Sequence, residues 1–197
     1  MKRFDFDRES FEKEIPMHDY FMKRKASSIK KKVPRGLTCL DIGCGSGEME
    51  FLLKDHFKKI IGLDPTPNQI KIAKKRGLKN CDFEVGTAVK LKSRDNSFDV
   101  VIIINVMHHI EEKEHVKVLK EAYRVLKKKG RLLVYEHNPL HPLIWIRFYY
   151  FSKIDKGERM INPFKMRNMF KKAGFKKTRF NFLISECLGE YYVVGKK

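Results

Sequence analysis

Apolar positions along this chain fall into short blocks of two kinds, continuous runs and stripes repeating at i, i+3, i+4. The runs at residues 37–42 and 58–63 read as buried strands, and residues 81–88 as a third. Residues 98–104 are unbroken apolar sequence apart from Asp99, which suits a central parallel strand covered on both faces. Met49, Leu52, Leu53, His56 and Phe57 predict a helix over 48–57. Thr66 as cap, Pro67 at the first turn and Gln69 completing a capping box predict a helix that Gly77 ends. Val116, Leu119, Ala122, Tyr123 and Leu126 predict another, closed by Gly130 and followed by a strand at 131–135. Asn162 and Pro163 open a last helix, with Met166, Met169, Phe170 and Ala173 inward and Gly174 at its end. Two final strands follow at 176–184 and 190–195. Ahead of all this, residues 18–32 form an amphipathic stretch with Tyr20, Phe21 and Ile29 as apolar points, and Pro34-Arg35-Gly36 breaks it from the first strand.

The chemistry concentrates after the first strand. Gly43, Gly45 and Gly47 come at every second position, between a strand and a helix, where a backbone must turn tightly and let a ligand approach. Position 48 is Glu, where the dinucleotide fingerprint G-x-G-x-x-G needs Gly, and a carboxylate there disfavours a pyrophosphate. The second strand ends at Asp64, about twenty residues on, where an acid accepts hydrogen bonds from ribose hydroxyls. The combination predicts an adenosine-containing ligand without a pyrophosphate.

Five segments resemble, in order and spacing, the successive motifs of the class I S-adenosylmethionine-dependent methyltransferases. They are Asp41-Ile-Gly-Cys-Gly-Ser-Gly47, Gly62-Leu-Asp64, Ser97-Phe-Asp-Val-Val101, Asn105-Val-Met-His-His-Ile110 and Leu126-Lys-Lys-Lys-Gly-Arg-Leu132, spread over about residues 37–136. The resemblance implies a three-layer α/β/α Rossmann-like fold with a mostly parallel seven-stranded sheet and an antiparallel final strand. It implies one methyltransferase domain over 37–197, with an N-terminal helical cap at 1–36 and an insert at about 139–161. It implies S-adenosyl-L-methionine as cofactor and S-adenosyl-L-homocysteine as product, held by Asp41, Gly43, Cys44, Gly45, Asp64, Thr87, Ala88 and Asn105. Thr87 stands where the family commonly has Asp; its hydroxyl can accept from the adenine amino group, and Ala88 would act through its backbone. Asn105 falls beside the cofactor's methionyl part.

Methyl transfer from a sulfonium mainly requires positioning, with a base only where the acceptor must lose a proton. The residues expected on the rim are His108, His109, Glu136, His137 and His141, and the catalytic assignment is to His137, His108 and Glu136. Glu136 and His137 alternate faces if the strand persists that far. His108, His137 and His141 match no standard ligand spacing, so no metal is expected. Residues 143–151 are apolar and aromatic with one Arg, and read as an acceptor wall, a packing helix or a membrane-surface element.

Composition bounds the rest. The 197 residues suffice for one domain with a core, and the four cysteines show neither C-x-x-C nor zinc spacing, as reduced thiols in a cytoplasmic protein would. No run reaches membrane-span length and no signal-peptide core is present. The net charge of +19 suits anionic partners, but the lysines are spread out, as on a solvated surface. No Asn-Pro-Pro-aromatic motif and no Pro-Cys nucleophile occur, which disfavours two nucleic-acid classes. The expected acceptor is therefore a small molecule or lipid-like compound. The alternatives are an RNA or tRNA acceptor reached through the basic surface, and a non-catalytic S-adenosylmethionine-binding protein. Nothing in the sequence speaks to oligomeric state.

Overall fold

The computed structural model describes residues 18–141, 160–183 and 189–197. The elements in order are α1 (His18–Lys32), β1 (Thr38–Ile42), α2 (Glu48–Leu53), β2 (Lys59–Asp64), α3 (Pro67–Lys75), β3 (Cys81–Val85), β4 (Phe98–Ile104), two short 3₁₀ turns (Met107–His109 and Glu112–Glu114), α4 (His115–Val125), β5 (Leu126–His137), α5 (Pro163–Lys172), β6 (Lys177–Phe182) and β7 (Glu190–Lys196). The strands form one seven-stranded sheet in the order β3-β2-β1-β4-β5-β7-β6. β1 to β5 pair in parallel, and β7 lies antiparallel between β5 and β6.

Each apolar strand feeds two cores, because successive residues face opposite sides of a sheet. On β4, Val100 and Ile102 join Cys39, Ile60, Leu133 and Tyr135 in a cluster with α1, α2 and α3. Val101 and Ile103 join Leu40, Ile42, Leu132 and Val134 in a cluster with α4 and α5. This makes the expected α/β/α sandwich. α1 is bound into it by more than its apolar stripe. Ser28 Oγ lies 3.1 Å from the Tyr135 hydroxyl, and Arg131 donates to the carbonyl of Lys32.

Several boundaries differ from expectation for local reasons. The helix predicted to run to Gly130 stops at Val125, and β5 begins at once. The last carbonyls of the helix are taken by the turn before β4, Arg124 accepting from Asn96 N–H at 3.1 Å and Val125 from Ser97 N–H at 2.8 Å, and the Lys197 ammonium adds bonds to Arg124 and Leu126 at 3.2 and 2.7 Å. Strand pairing with β4 then shifts register between Phe98 and Val100, and Lys129 takes a left-handed φ of 68°. α2 ends at Leu53 rather than Phe57, but His56 and Phe57 stay buried, His56 donating to the Val33 carbonyl at 3.0 Å. β3 ends at Val85, short of 88. Thr66 precedes Pro67 as expected, yet its side chain makes no cap hydrogen bond; its N–H is bound by Asp64 Oδ1 at 2.8 Å, and Gln69 is buried instead of closing a capping box. Asn162 does cap α5, accepting from the Phe164 N–H at 2.8 Å. The aromatic run at 143–151, and Cys187, lie outside the described residues.

Candidate cofactor site and acceptor rim

The glycine loop leaves the carboxyl end of β1 at the point where the sheet order reverses, with β2 on one side and β4 on the other. Ligands of open α/β sheets bind at such a reversal. Gly43 has φ 83°, and a Cβ built there would stand 2.2 Å from Cγ2 of Val106. The next glycine, Gly45, also has a positive φ, but its Cβ position is open, with Gln69 Oε1 at 3.9 Å as the nearest atom. The loop is therefore folded tightly on one side and bare on the other.

Its amides are not free for an anion. The N–H groups of Gly43 and Cys44 both donate to the Leu63 carbonyl, at 2.7 and 3.1 Å. Gly45 N–H donates to Asp64 Oδ2 at 3.1 Å, and Gly47 N–H to the Cys44 carbonyl at 3.1 Å. The structure thus spends four of the five loop donors internally. Carboxyls gather around the loop, with Asp41 at the end of β1, Asp64 against it, and Glu48 and Glu50 at the start of α2. Glu48 pairs with His18 of α1 at 2.9 Å, and Arg76 donates to the Ser46 carbonyl at 2.6 Å, so the loop carries cations as well. Asp64 accepts one N–H on each oxygen, from Gly45 and Thr66, and each oxygen keeps a lone pair for a ribose hydroxyl.

Beyond Val106 the chain forms the acceptor rim, organised by Glu136. Its Oε1 accepts from the N–H groups of Val106 and Met107, at 3.1 and 2.8 Å, and its Oε2 lies 2.6 Å from His108 Nδ1. His115 clamps the same turn from α4, donating to the carbonyls of Met107 and Ile110 at 2.8 and 2.9 Å. This carboxylate is thus fully engaged in shaping the loop. β5 persists through His137, so Glu136 and His137 do leave on opposite faces. The His108 and His137 rings nevertheless meet, centroids 5.2 Å apart. His109, its ring centroid 4.1 Å from that of His108, lines an open groove of about 1010 Å³ between the 3₁₀ turns and α5, with Ile110, Val116 and Met169. His141 is only half-buried, in the turn after β5.

β7 runs antiparallel, so its first residue, Glu190, arrives at the rim where β4 and β5 end, in register with His137. Its Oε1 accepts from Lys25 Nζ at 2.8 Å and Asn105 Nδ2 at 3.3 Å, with His137 Nδ1 at 3.8 Å. Asn105 holds φ 54°, uncommon for a non-glycine residue, and its Oδ1 is buried with no partner. An unpaired buried acceptor in a strained residue beside the glycine loop suits a ligand that donates a hydrogen bond there. Of the expected cofactor residues, the structure brings Asp41, Gly43, Cys44, Gly45, Asp64 and Asn105 to one rim. Thr87 and Ala88 follow β3, where Thr87 bridges to Lys90. Among the described residues no group of three His, Cys, Asp or Glu side chains is arranged to hold a metal, and no helix is long and apolar enough to cross a membrane.

Three contributors were not singled out from the sequence. Lys25 lies on the stripe Phe21–Lys25–Ile29, which marks it as buried. Gly62 inside a strand signals a close approach, and Glu50 is what approaches. Glu190 carried no signal, since its role depends on β7 running antiparallel.

Fold and site together define a Rossmann-like domain with a glycine loop after its first strand and an acid, Asp64, closing its second. Residues 40–134 match the family described as a methyltransferase domain. A demethylmenaquinone methyltransferase from Lactococcus lactis is 33% identical over 148 residues, covering 71% of this chain and 56% of that protein. A probable tRNA methyltransferase 9B from mouse is 36% identical over 101 residues, 51% of this chain and 22% of its own. The chain spans about half the length of the curated relatives it matches first. In fold it matches the crystal structure of an S-adenosylmethionine-dependent methyltransferase, a possible histamine N-methyltransferase, from Thermotoga maritima, with TM-score 0.79, 24% identity and 96% of each chain covered. The chain belongs to the class I S-adenosylmethionine-dependent methyltransferases, and S-adenosylmethionine is the methyl donor of that family.

Proposed function

We propose that this protein transfers the methyl group of S-adenosylmethionine to a small-molecule or lipid-like acceptor. The observation that supports the reading is the glycine loop whose amides are mostly spent internally and which is bound to Asp64, an acid whose oxygens each keep a lone pair for a ribose hydroxyl. Such a loop suits a sulfonium-bearing nucleoside and not a dinucleotide. When bound, the cofactor supplies an electrophilic methyl group on a good leaving group. The residues of this chain then have to hold and orient. Asp41, Gly43, Cys44, Gly45 and Asp64 form the cradle, Asp64 engaging the ribose; Asn105 takes the methionyl end, and Thr87 and Ala88 the adenine. Glu136 and His108 keep the rim turn in shape, which makes them positioning residues. His137 is the base for an acceptor that must lose a proton. Similarity to a demethylmenaquinone methyltransferase supports a lipid-like acceptor, and a cytoplasmic setting accords with free thiols at Cys39, Cys44 and Cys81.

The test is calorimetry with S-adenosylmethionine and S-adenosylhomocysteine, followed by release of the latter on panels of quinols, phenols and amines. Binding with turnover on one class is expected, and His137→Ala should keep cofactor affinity while losing transfer. Absence of binding to both nucleosides refutes the reading, and full transfer by His137→Ala removes that residue's role. A second reading, an RNA acceptor, draws on the +19 charge and the likeness to a probable tRNA methyltransferase. It requires tRNA affinity that falls steeply with salt.

A further inference from the structure

Behind the glycine loop Asp41, a member of the cradle, is accompanied by a second buried carboxyl, Glu50, that the cradle does not use. Asp41 on β1 stands in register with Gly62 on β2, which stands in register with Phe83 on β3. Gly62 leaves a gap in that row, and Glu50 reaches down from α2 to fill it. A Cβ at Gly62 would stand 2.9 Å from Glu50 Oε1 and 2.7 Å from the Phe83 ring. Glu50 is 1% exposed and Asp41 2%. Among the described residues no other residue's N–H or hydroxyl donates to either oxygen of Glu50 or to Oδ1 of Asp41. Burial raises the pKa of both carboxyls, and each acts on the other, lowering Asp41 and raising Glu50. A buried pair so short of donors favours the neutral form, and a proton on Glu50 would let it donate to Asp41 where two bare carboxylates could only repel.

We propose that Asp41 and Glu50 hold shared protons behind the cofactor loop, and that seating a cationic nucleoside on the loop expels one of them to solvent. The inference rests on the methyl-donor reading of the loop. The groups facing the pair come from every neighbouring element. They are Cys39 on β1, Cys44 in the loop, Asp64 on β2, Cys81 on β3 and Arg76 after α3. Burial pushes all three thiols up, so they stay neutral. Burial likewise keeps Glu50 protonated. Asp41 is pushed up to about 7 by burial and by the charge of Asp64, partly offset by the Glu50 hydrogen bond. Within the cluster, Asp41 is thus the group poised to change charge near neutrality. A cation on the loop favours its ionised form, and the proton leaves. The balance is simple: one proton moves from Asp41 to solvent, and no bond of the ligand is made or broken.

The experiment is titration calorimetry of the full chain with S-adenosylmethionine and with S-adenosylhomocysteine, in phosphate and in Tris, across the pH range around neutrality. The slope of observed heat against buffer ionisation enthalpy counts protons. Below the Asp41 pKa, S-adenosylmethionine should release close to one proton, with affinity weakening ~10-fold per pH unit as pH falls, while S-adenosylhomocysteine, whose sulfur is uncharged, should release less. Asp41→Asn should abolish the release and flatten the pH dependence. The nucleoside's own amine titrates equally against both proteins and cancels in their difference. Glu50→Gln, which keeps a donor to Asp41, should retain the release. Binding with no proton released by the native chain, or release that survives Asp41→Asn, overturns the proposal and leaves the methyl-donor reading intact. No binding to either nucleoside overturns both.

Discussion

The Lys25–Glu190 pair is one of the contacts that tie α1 to the sheet, and its burial sets what removing it must cost. The two side chains are 5% and 7% exposed and their charged atoms are 2.8 Å apart. An exposed pair at that distance contributes ~0–1 kcal/mol. A buried one behaves differently, because deleting one partner strands the other charge out of water, at ~3–5 kcal/mol. Among the described residues Lys25 forms no other ion pair, while Glu190 also accepts from Asn105 at 3.3 Å. Glu190→Met should therefore cost ~3–5 kcal/mol, and at ~2–4 °C per kcal/mol for a chain of this length the melting temperature should fall by ~6–20 °C. Lys25→Met should cost a similar amount. The double variant Lys25→Met/Glu190→Met buries no charge and fills similar volume, so it should be more stable than either single variant, despite leaving the Asn105 amide unpaired. Urea denaturation of the four proteins gives the coupling energy directly. A double variant whose loss equals the sum of the singles within ~0.5 kcal/mol would refute the buried-pair argument.

Three further outcomes follow from the site. Gly43→Ala should abolish cofactor affinity and lower stability, because the new methyl collides with Val106 at a left-handed backbone position; calorimetry and thermal melting that match the native chain would contradict this. Asp64→Asn should weaken S-adenosylhomocysteine binding by ~10–100-fold, through loss of a charged acceptor for ribose; undiminished affinity would remove Asp64 from the site. The third concerns pH. Asp41 is raised in the fold from 3.8 to about 7, so its contribution to stability is fully present below 3.8 and is lost as pH rises through about 7. The stability gained by Asp41→Asn should then be larger at pH above about 7 than at mildly acid pH, and a difference independent of pH would exclude a buried titrating Asp41.

The sheet was legible because continuous apolar runs and helical stripes seldom imitate each other over several elements, and the two cores use both faces of β4 as its unbroken run demands. The cradle was legible because turns of this kind need glycine and an acid after the second strand. The amide donors were not, since where an N–H points depends on which carbonyl lies within reach, and Leu63 is supplied by β2. The end of α4 was missed for a similar reason: its last carbonyls are met by the N–H groups of Asn96 and Ser97, some thirty residues upstream, with Lys197 adding a further bond to Arg124. Glu136 was legible as a rim residue but not as the clamp on Val106, Met107 and His108, because three donors from one turn converge only once β4 and β5 are paired.

The distribution of charge weighs between the two acceptor readings. In a parallel sheet, residues that begin strands gather at the end opposite the ligand rim, and β7, being antiparallel, adds its last residues there. Lys58 and Lys59 enter β2, Lys79 precedes β3, Lys127–Lys129 open β5, Lys177 opens β6, and Lys196 and Lys197 close β7. Some of this charge is already matched, Lys127 by Asp99 and Lys59 by Asp82. The rim carries Glu48, Asp64, Glu136 and Glu190, three of them facing His18, His108 and Lys25, together with Arg76 on the Ser46 carbonyl and Lys113 and Lys165 along the groove beside His109. A seven-residue strand such as β4 spans roughly 20 Å at ~3.3 Å per residue, well beyond the ~8 Å over which salt lets charges act. A polyanion held by the strand-start lysines would sit a strand's length from the methyl-donor loop, so an RNA acceptor would depend on the fewer cations of the rim, whereas a small acceptor needs none of them.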